Sequence, residues 1–374
     1  MITRRQILSY GALAGAAYLT GCQSCAKDDG LTPEQRQTGA AALKRGAQFL
    51  WGLQSEDGGW HSTTYGFMKD GQSLTPFALL ALTLVPRELV DIPREQTGKA
   101  LGYILSLVDK GALGLATIAP DYPTYSTSLA ISAFTRIKPQ GWRDHVEQMV
   151  NWLLSQQRIG EEWGTATGGF PMGSNRPPIP GNPGHIDLSM TRFALQALND
   201  FGISHSHQAM LAGRDLTLRC QTADGTFLYS PVEMELNKGH RQGDQHEGYG
   251  SATTDGILAL LACAPNDQGL TRGLDALRAI HRVDVNPGIG DGPQAGFALA
   301  MRGLYRAQSA ECFVSLGGPE KWQGPMIEAI AAEQNDAGGW QNESPLQKED
   351  DPIIATSMAV SALARTMYGK ALVR

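Results

Sequence analysis

Small and apolar residues recur along this chain in one fixed frame: Thr, then Ala or Gly at +3, Ala at +6, and Leu or Phe at +7. The frame stands at Thr75 (Ala78, Ala81, Leu82), Thr127 (Ala130, Ala133, Phe134), Thr191 (Ala194, Ala197, Leu198), Thr253 (Gly256, Ala259, Leu260) and Thr356 (Ala359, Ala362, Leu363). A degenerate copy has Phe297 in place of Thr, followed by Ala300, Gly303 and Leu304, so successive copies lie 52, 64, 62, 44 and 59 residues apart. Six copies at such a period identify a repeat architecture. At 3.6 residues per turn the four offsets fall within an arc of about 120°. Each copy is therefore a helix with one small-residue face against which another helix packs closely.

A second frame precedes most copies. Arg45-Gly46, Phe49-Leu50, Gln54 and Gly58-Gly59-Trp60 predict a helix that ends in a Gly turn with an aromatic just beyond it, glycine supplying the positive φ common at helix C-termini. The frame returns, eroded, as Trp152-Leu153, Gln157 and Trp163 in the third repeat, and as Gln221, Gly225 and Phe227 in the fourth. The sixth carries Gln334 and Gly338-Gly339-Trp340, whereas the second has Val108 and the fifth His281 at the Gln position. Each unit reads as an outer helix, a Gln-to-aromatic turn that staples it, and an inner helix. An open row of six hairpins leaves two bare ends, while a ring buries every inner helix. The expected fold class is all-α, an (α/α)6 toroid of six helical hairpins.

The runs from Gln54 to Trp60 and from Gln334 to Trp340 resemble the Gln-Trp motifs of squalene-hopene and oxidosqualene cyclases. The helical pairs also resemble the β subunits of protein prenyltransferases. The resemblance, to the prenyltransferase/squalene oxidase repeat superfamily, covers roughly residues 40 to 368. It implies a toroid whose inner helices surround a central cavity.

The N-terminus changes the picture of where this toroid works. Thr3-Arg4-Arg5-Gln6-Ile7-Leu8 and the apolar run from Tyr10 to Leu19 read as an export signal, the paired Arg resembling a twin-arginine signal. Leu19-Thr20-Gly21-Cys22 fits a lipoprotein cleavage box, so cleavage before Cys22 and acylation of its thiol are expected. The domain plan is a signal over 1–21, a linker over 22–38 and the toroid over 39–374. The expected location is the cell envelope, outside the cytoplasm, lipid-anchored to a bacterial membrane. Loss of Arg4 and Arg5 with the signal takes the formal net charge from −6 to −8, which argues against a nucleic-acid partner. The five Cys, at 22, 25, 220, 263 and 312, lack the spacing of a disulfide framework or zinc site; no metal and no cofactor is expected.

Candidate chemistry follows from unequal connections. All six outer-to-inner turns should gather at one end of the ring, and those of the third (Phe170 to Ile186), fourth (Leu228 to Tyr249) and sixth (Gln341 to Pro352) repeats are long. Long loops over one mouth of a cavity are where scaffolds carry function. In the fourth loop His240, Arg241, Asp244, His246 and Glu247 precede Tyr249, bringing acid, base and aromatic groups together. His246, Glu247 and Asp187 are the candidate catalytic residues. Tyr122, Tyr125, His185, His240, Arg241 and Tyr249 are the candidate ligand-binding residues, the Tyr pair as rings that could hold an apolar ligand or a cation. Asp187 and Asp351 also stand where helix caps stand.

The family comparison removes as much as it adds. Protonating cyclases use an Asp-x-Asp-Asp run ahead of the Thr-Ala of one inner helix. Aligned on the Thr, the third repeat has Asp187, Ser189 and Met190 and the fourth Tyr249, Ser251 and Ala252, so the donor is missing. Asp255 is followed by Gly256 and Ile257, which does not match the Asp-x-Cys zinc ligands of the prenyltransferases. An active squalene or oxidosqualene cyclase is not expected. Two readings stand: a module that binds a hydrophobic, glycan or protein ligand in the cavity or at its mouth, or an enzyme of terpenoid cyclase-like or polysaccharide lyase-like type acting there.

Overall fold

A computed structural model describes residues 30–115, 121–179, 181–243 and 245–369. The inner helices are α2 (Leu74–Thr83), α4 (Pro123–Ile137), α6 (Leu188–Phe201), α8 (Gly250–Cys263), α11 (Arg302–Leu316) and α13 (Pro352–Tyr368). The outer helices are α1 (Pro33–Gly52), α3 (Arg94–Ser106), α5 (Trp142–Gln156), α7 (Gln208–Arg219), α9 (Gln268–Ile280) and α12 (Gln323–Ala332), with a single turn α10 (Phe297–Ala300) ahead of α11. Each inner helix packs on the next, and α13 closes on both α2 and α1. The toroid of six hairpins is as the periodicity predicts. Among the described residues the regular sheet is one ribbon of β1 (Arg241–Gln242) and β2 (Gln245–His246) in the fourth loop.

The two sequence frames turn out to be bonded to each other. The Oγ1 of each repeat Thr accepts the backbone N–H of the residue that ends the preceding turn: Trp60 to Thr75, Leu113 to Thr127, Phe170 to Thr191, Phe227 to Thr253 and Trp340 to Thr356, at 3.0 to 3.2 Å. A buried hydroxyl thus satisfies a buried donor that lies outside any helix. The Gln closes the other side. Gln54, Gln157, Gln221 and Gln334 each donate to the carbonyl of a Gly in their own turn and to a carbonyl on the next outer helix, at Gln96, Ala209, Gly269 and Ala42. The Gly residues of these four turns, Gly58, Gly168, Gly225 and Gly338, share φ between 91 and 94°, a conformation that favours glycine. Trp60 and Trp340 lie beneath, 0% and 5% exposed. Their Nε1 atoms donate at 2.7 Å to the carbonyls of Leu50 and Ile330.

Three expectations are corrected. The turn aromatic of the third repeat is Phe170, fully buried, whereas Trp163 is half-buried beneath the guanidinium of Arg158; the intervening 3-10 turn lengthens the spacing. Phe297 does not open an inner helix. The chain breaks at Met301 and restarts at Arg302, where the carboxylate of Glu349 accepts the N–H groups of Gly303 and Leu304. In that repeat His281 and the buried Tyr305 pair instead, at 2.9 Å. Finally, the linker ends earlier than residue 38. Thr32 and Gln35 form a capping box and Pro33 starts α1, each feature fixing a helix N-terminus.

Candidate functional site

The small-residue face of each inner helix turns outward, with Ala78, Ala130, Ala194 and Ala259 all fully buried. The opposite face lines a central cavity of about 480 Å³. Counted from each repeat Thr, the cavity-facing positions are +2, +5 and +9. The first layer holds Phe77, Leu129, Phe193 and Met358; the second Leu80, Ser132, Gln196, Leu258 and Ser361; the third Leu84, Arg136, Asp200, Ala262 and Arg365. The inner helices begin at the loop-rich end, so the first layer lies beneath the loops and the third, charged layer lies at the far end. There Lys138 and Asn199 border the cavity and are exposed. Beside the loops the wall is apolar apart from Arg192 and Gln308, and at the far end, where solvent reaches it, it carries Arg136, Asp200 and Arg365.

In the fourth repeat the +2 position is Asp255, which is 2% exposed. Gln308 donates to its Oδ1 at 2.7 Å and takes a hydrogen bond from Thr254, while Arg192 Nε stands 3.9 Å away. Arg192 and Gln308 line the cavity themselves, so they cover the carboxyl. Burial pushes Asp255 up to about 7 against the pull of Arg192. Deeper along the same wall, Arg192 and Arg365 both reach Glu311, at 3.2 and 3.1 Å, and Gln196 donates to it at 3.1 Å. Burial raises the Glu311 carboxyl, but Arg365 and Arg192 outweigh it and hold the group below the usual range. Asp200, recessed although solvent reaches it, accepts a hydrogen bond from Ser132 and is pushed up to about 6 by burial. Such a network is costly to desolvate and is a weak source of stability; concentrated in a cavity, it makes this wall the candidate site.

The sequence-predicted residues divide among three places. Tyr125 lines the cavity, its ring edge-on to Phe193 at 4.6 Å. Asp187 and His185 come together at the loop-rich end. Asp187, 2% exposed, caps α6 by accepting the Met190 N–H at 2.6 Å and lies 3.0 Å from His185 Nε2. Glu233 bonds His185 Nδ1, and the Tyr229 hydroxyl lies 3.3 Å from Nε2. The hydrogen bond that His185 donates to Asp187 raises the His185 pKa. Burial, then the charge of Asp187, raises that of Tyr229. Tyr249, 1% exposed, packs with Ala252, Ile289 and Met301 beside Tyr229 and Phe297. Lys238 lies 5.0 Å over both the Tyr229 and Phe297 rings.

The rest lie in the loops away from the cavity lining, Arg241 exposed and His240, His246, Glu247 and Tyr122 half-buried. His246 is on β2, opposite Arg241, and Glu247 follows it with its N–H donating to the His240 carbonyl. Arg241 lies 3.7 Å from Glu235, and His240 3.9 Å from Asp291. Tyr122 precedes α4 with a φ of 44° and stacks edge-on to Phe67 at 5.8 Å. Asp351 caps α13 as its position suggested. Asp244, Cys22 and Cys25 lie outside the described residues. Sequence reasoning missed Asp255, Arg192, Gln308 and Glu311; the available signal was a charge or amide at a cavity-facing offset of a helix otherwise built from small and apolar residues. A second pocket of about 540 Å³ lies between α11, α12 and α13, bordered by Trp340, Arg302, Arg306, Glu333 and Glu349. Burial pushes Glu349 up to about 7.

No protein-family model and no curated protein matches the chain. Solved structures do share its fold. A variant of the type II terpene cyclase MstE from Scytonema, bound to its substrate geranylgeranyl dihydroxybenzoate, superposes with a TM-score of 0.60 at 12% identity, over 90% of this chain and 99% of that one. The unsaturated glucuronyl hydrolase of Bacillus sp. GL1, which acts in glycosaminoglycan degradation, gives 0.58 at 14% identity, over 88% and 96%. A protein from Actinoplanes gives 0.58 at 13%, over 88% and 99%. Both named enzymes are α/α toroids, and at these identities the likeness is one of fold.

Proposed function

We propose that this toroid is an exported, lipid-anchored protein whose central cavity takes an amphiphilic anion, an apolar chain ending in an acidic group. The observation that carries this reading is the grading of the cavity: Phe77, Leu129, Phe193 and Met358 in the first layer, and Arg136 and Arg365, two cations to the one carboxylate of Asp200, in the third. A few convergent charges at one end of an apolar cavity fix the orientation of a ligand, and guanidinium groups match a carboxylate or phosphate. The geranylgeranyl dihydroxybenzoate bound by the Scytonema cyclase has this two-part chemistry. Geranylgeranoic acid and geranylgeraniol, which differ only in the head group, test the reading by calorimetry. The acid should bind more tightly by about tenfold, ~1.4 kcal/mol, and Arg365→Ala should erase the difference. Equal affinities for acid and alcohol, or no binding of either, refute it.

A second reading, an enzyme using the same cavity, is favoured by Asp255. A carboxyl raised to about 7 beside a cavity has the proton affinity suited to general acid catalysis, with Arg192 and Gln308 holding it in place. On this reading Asp255→Asn keeps ligand affinity and loses turnover. A variant that turns over a bound ligand unchanged removes the acid and with it the reading.

A further inference from the structure

The cavity opening and the start of the chain's folded body share one end of the ring. α1 runs toward the loop-rich end, so its first turns lie at the other end, where Gly39 meets Met367 in the last turn of α13. The charged layer of Arg136, Asp200 and Arg365 is at that same end, with Asn199 exposed beside it. Lys138, also exposed, borders the cavity there as well. We propose that the cavity opens toward the membrane that holds the acylated Cys22, so that its ligand is exchanged with that leaflet and not with bulk water. This rests on the lipid anchor and the binding reading given above.

Length decides the orientation. Ten residues separate Cys22 from Thr32; even fully extended they reach only about 35 Å. The 20 residues of α1 span the height of the body, about 30 Å at 1.5 Å per residue. Turning the loop-rich end to the membrane requires the tether to run the whole height of the ring at almost full extension, at a cost in chain entropy. With the cavity end toward the membrane no such extension is needed. The cavity grading agrees with this placement. An anionic lipid drawn from the leaflet keeps its head group near the interface, where Arg136 and Arg365 stand, and its chain points up into the apolar first layer.

The test uses the full, acylated chain in phosphatidylglycerol vesicles that carry a spin-labelled head group as quencher. A fluorophore is placed on Asn199→Cys at the opening or on Leu236→Cys at the loop-rich end, in a Cys25→Ser background. Cys220, Cys263 and Cys312 are buried, the first two with thiols pushed up to about 12, and do not compete for the label. The expected result is a larger loss of fluorescence at position 199 than at 236. Equal quenching, or more at 236, overturns the proposal, as does a chain that stays off the vesicles. Because no ligand enters the readout, failure of the binding reading appears separately, in the comparison of acid with alcohol.

Discussion

Gln334 Nε2 donates to the Ala42 carbonyl at 2.9 Å, and through that bond the last turn of the ring holds the first outer helix, 292 residues earlier in sequence. The same nitrogen donates to Gly338 at 2.8 Å. Gln334→Ala leaves both carbonyls without this donor and should cost about 1–3 kcal/mol, read as a lower urea midpoint. Because the contact joins the two termini of the toroid, amide exchange should rise in α1 and α12 before it rises elsewhere. An unchanged midpoint shows that the ring is closed by its other contacts, among them Arg45 to the Asn335 carbonyl and Ser62 to Asp351.

The Trp residues of the Gln-Trp turns should separate by burial. Trp60→Ala and Trp340→Ala remove fully or nearly fully buried rings whose Nε1 groups are bonded, and each should cost roughly 3–5 kcal/mol. Trp163→Ala, at a half-buried ring under Arg158, should cost under about 1 kcal/mol. Denaturant melts of the three variants decide the ranking. A severe loss at Trp163 contradicts the assignment of Phe170 as the turn aromatic.

The His185 clamp should depend on pH. Its pKa is raised in the folded protein by Asp187 and Glu233, so its contribution is fully present below the unfolded value of about 6.5. It is lost as pH rises through the higher folded value. Amide exchange across Leu228–Asn237 should therefore quicken as pH climbs above that window, after correction for intrinsic exchange rates, and His185→Ala should flatten the dependence. A loop that exchanges alike on both sides of the window, with His185 intact, contradicts the clamp.

Squalene should pass through this protein unchanged. The position where the third repeat could hold a cyclase donor is Ser189, a hydroxyl that stands near Asp255, and Asp187 uses its carboxylate on the Met190 N–H and His185. Incubation with squalene in detergent followed by gas chromatography should give no polycyclic product. A product that disappears in Asp187→Asn would restore Asp187 as an acid.

The ring, the hairpins and the role of the Gln-Trp turns were legible because small residues and turn glycines must repeat wherever the same packing repeats. The site was less so. Asp187 and His185 stood out as polar residues beside a helix start, but Tyr229 and Glu233, the partners of His185, lie 44 and 48 residues beyond it and no local pattern joins them. His246 and Glu247 drew notice as a dense acid and base pair, yet density in a loop says nothing about direction, and they lie on a ribbon apart from the cavity. Asp255 was visible two residues after a repeat Thr but was tested only as a zinc ligand. Reading +2, +5 and +9 across all copies, as the eye reads +3, +6 and +7, finds the cavity wall.

Four Gln clamps for six hairpins have a geometric meaning. The clamps join hairpin six to one, one to two, three to four and four to five. The two junctions without one, between two and three and between five and six, lie diametrically across the ring. Other bonds stand in at those two places: Ser132 donates to Asp200 across the first, and Arg306 to Glu333 across the second. Every junction of the ring is thus tied by at least one side-chain hydrogen bond, and the two ties that replace a clamp are the ones that face a cavity, Asp200 on the central one and Glu333 on the pocket beside Trp340.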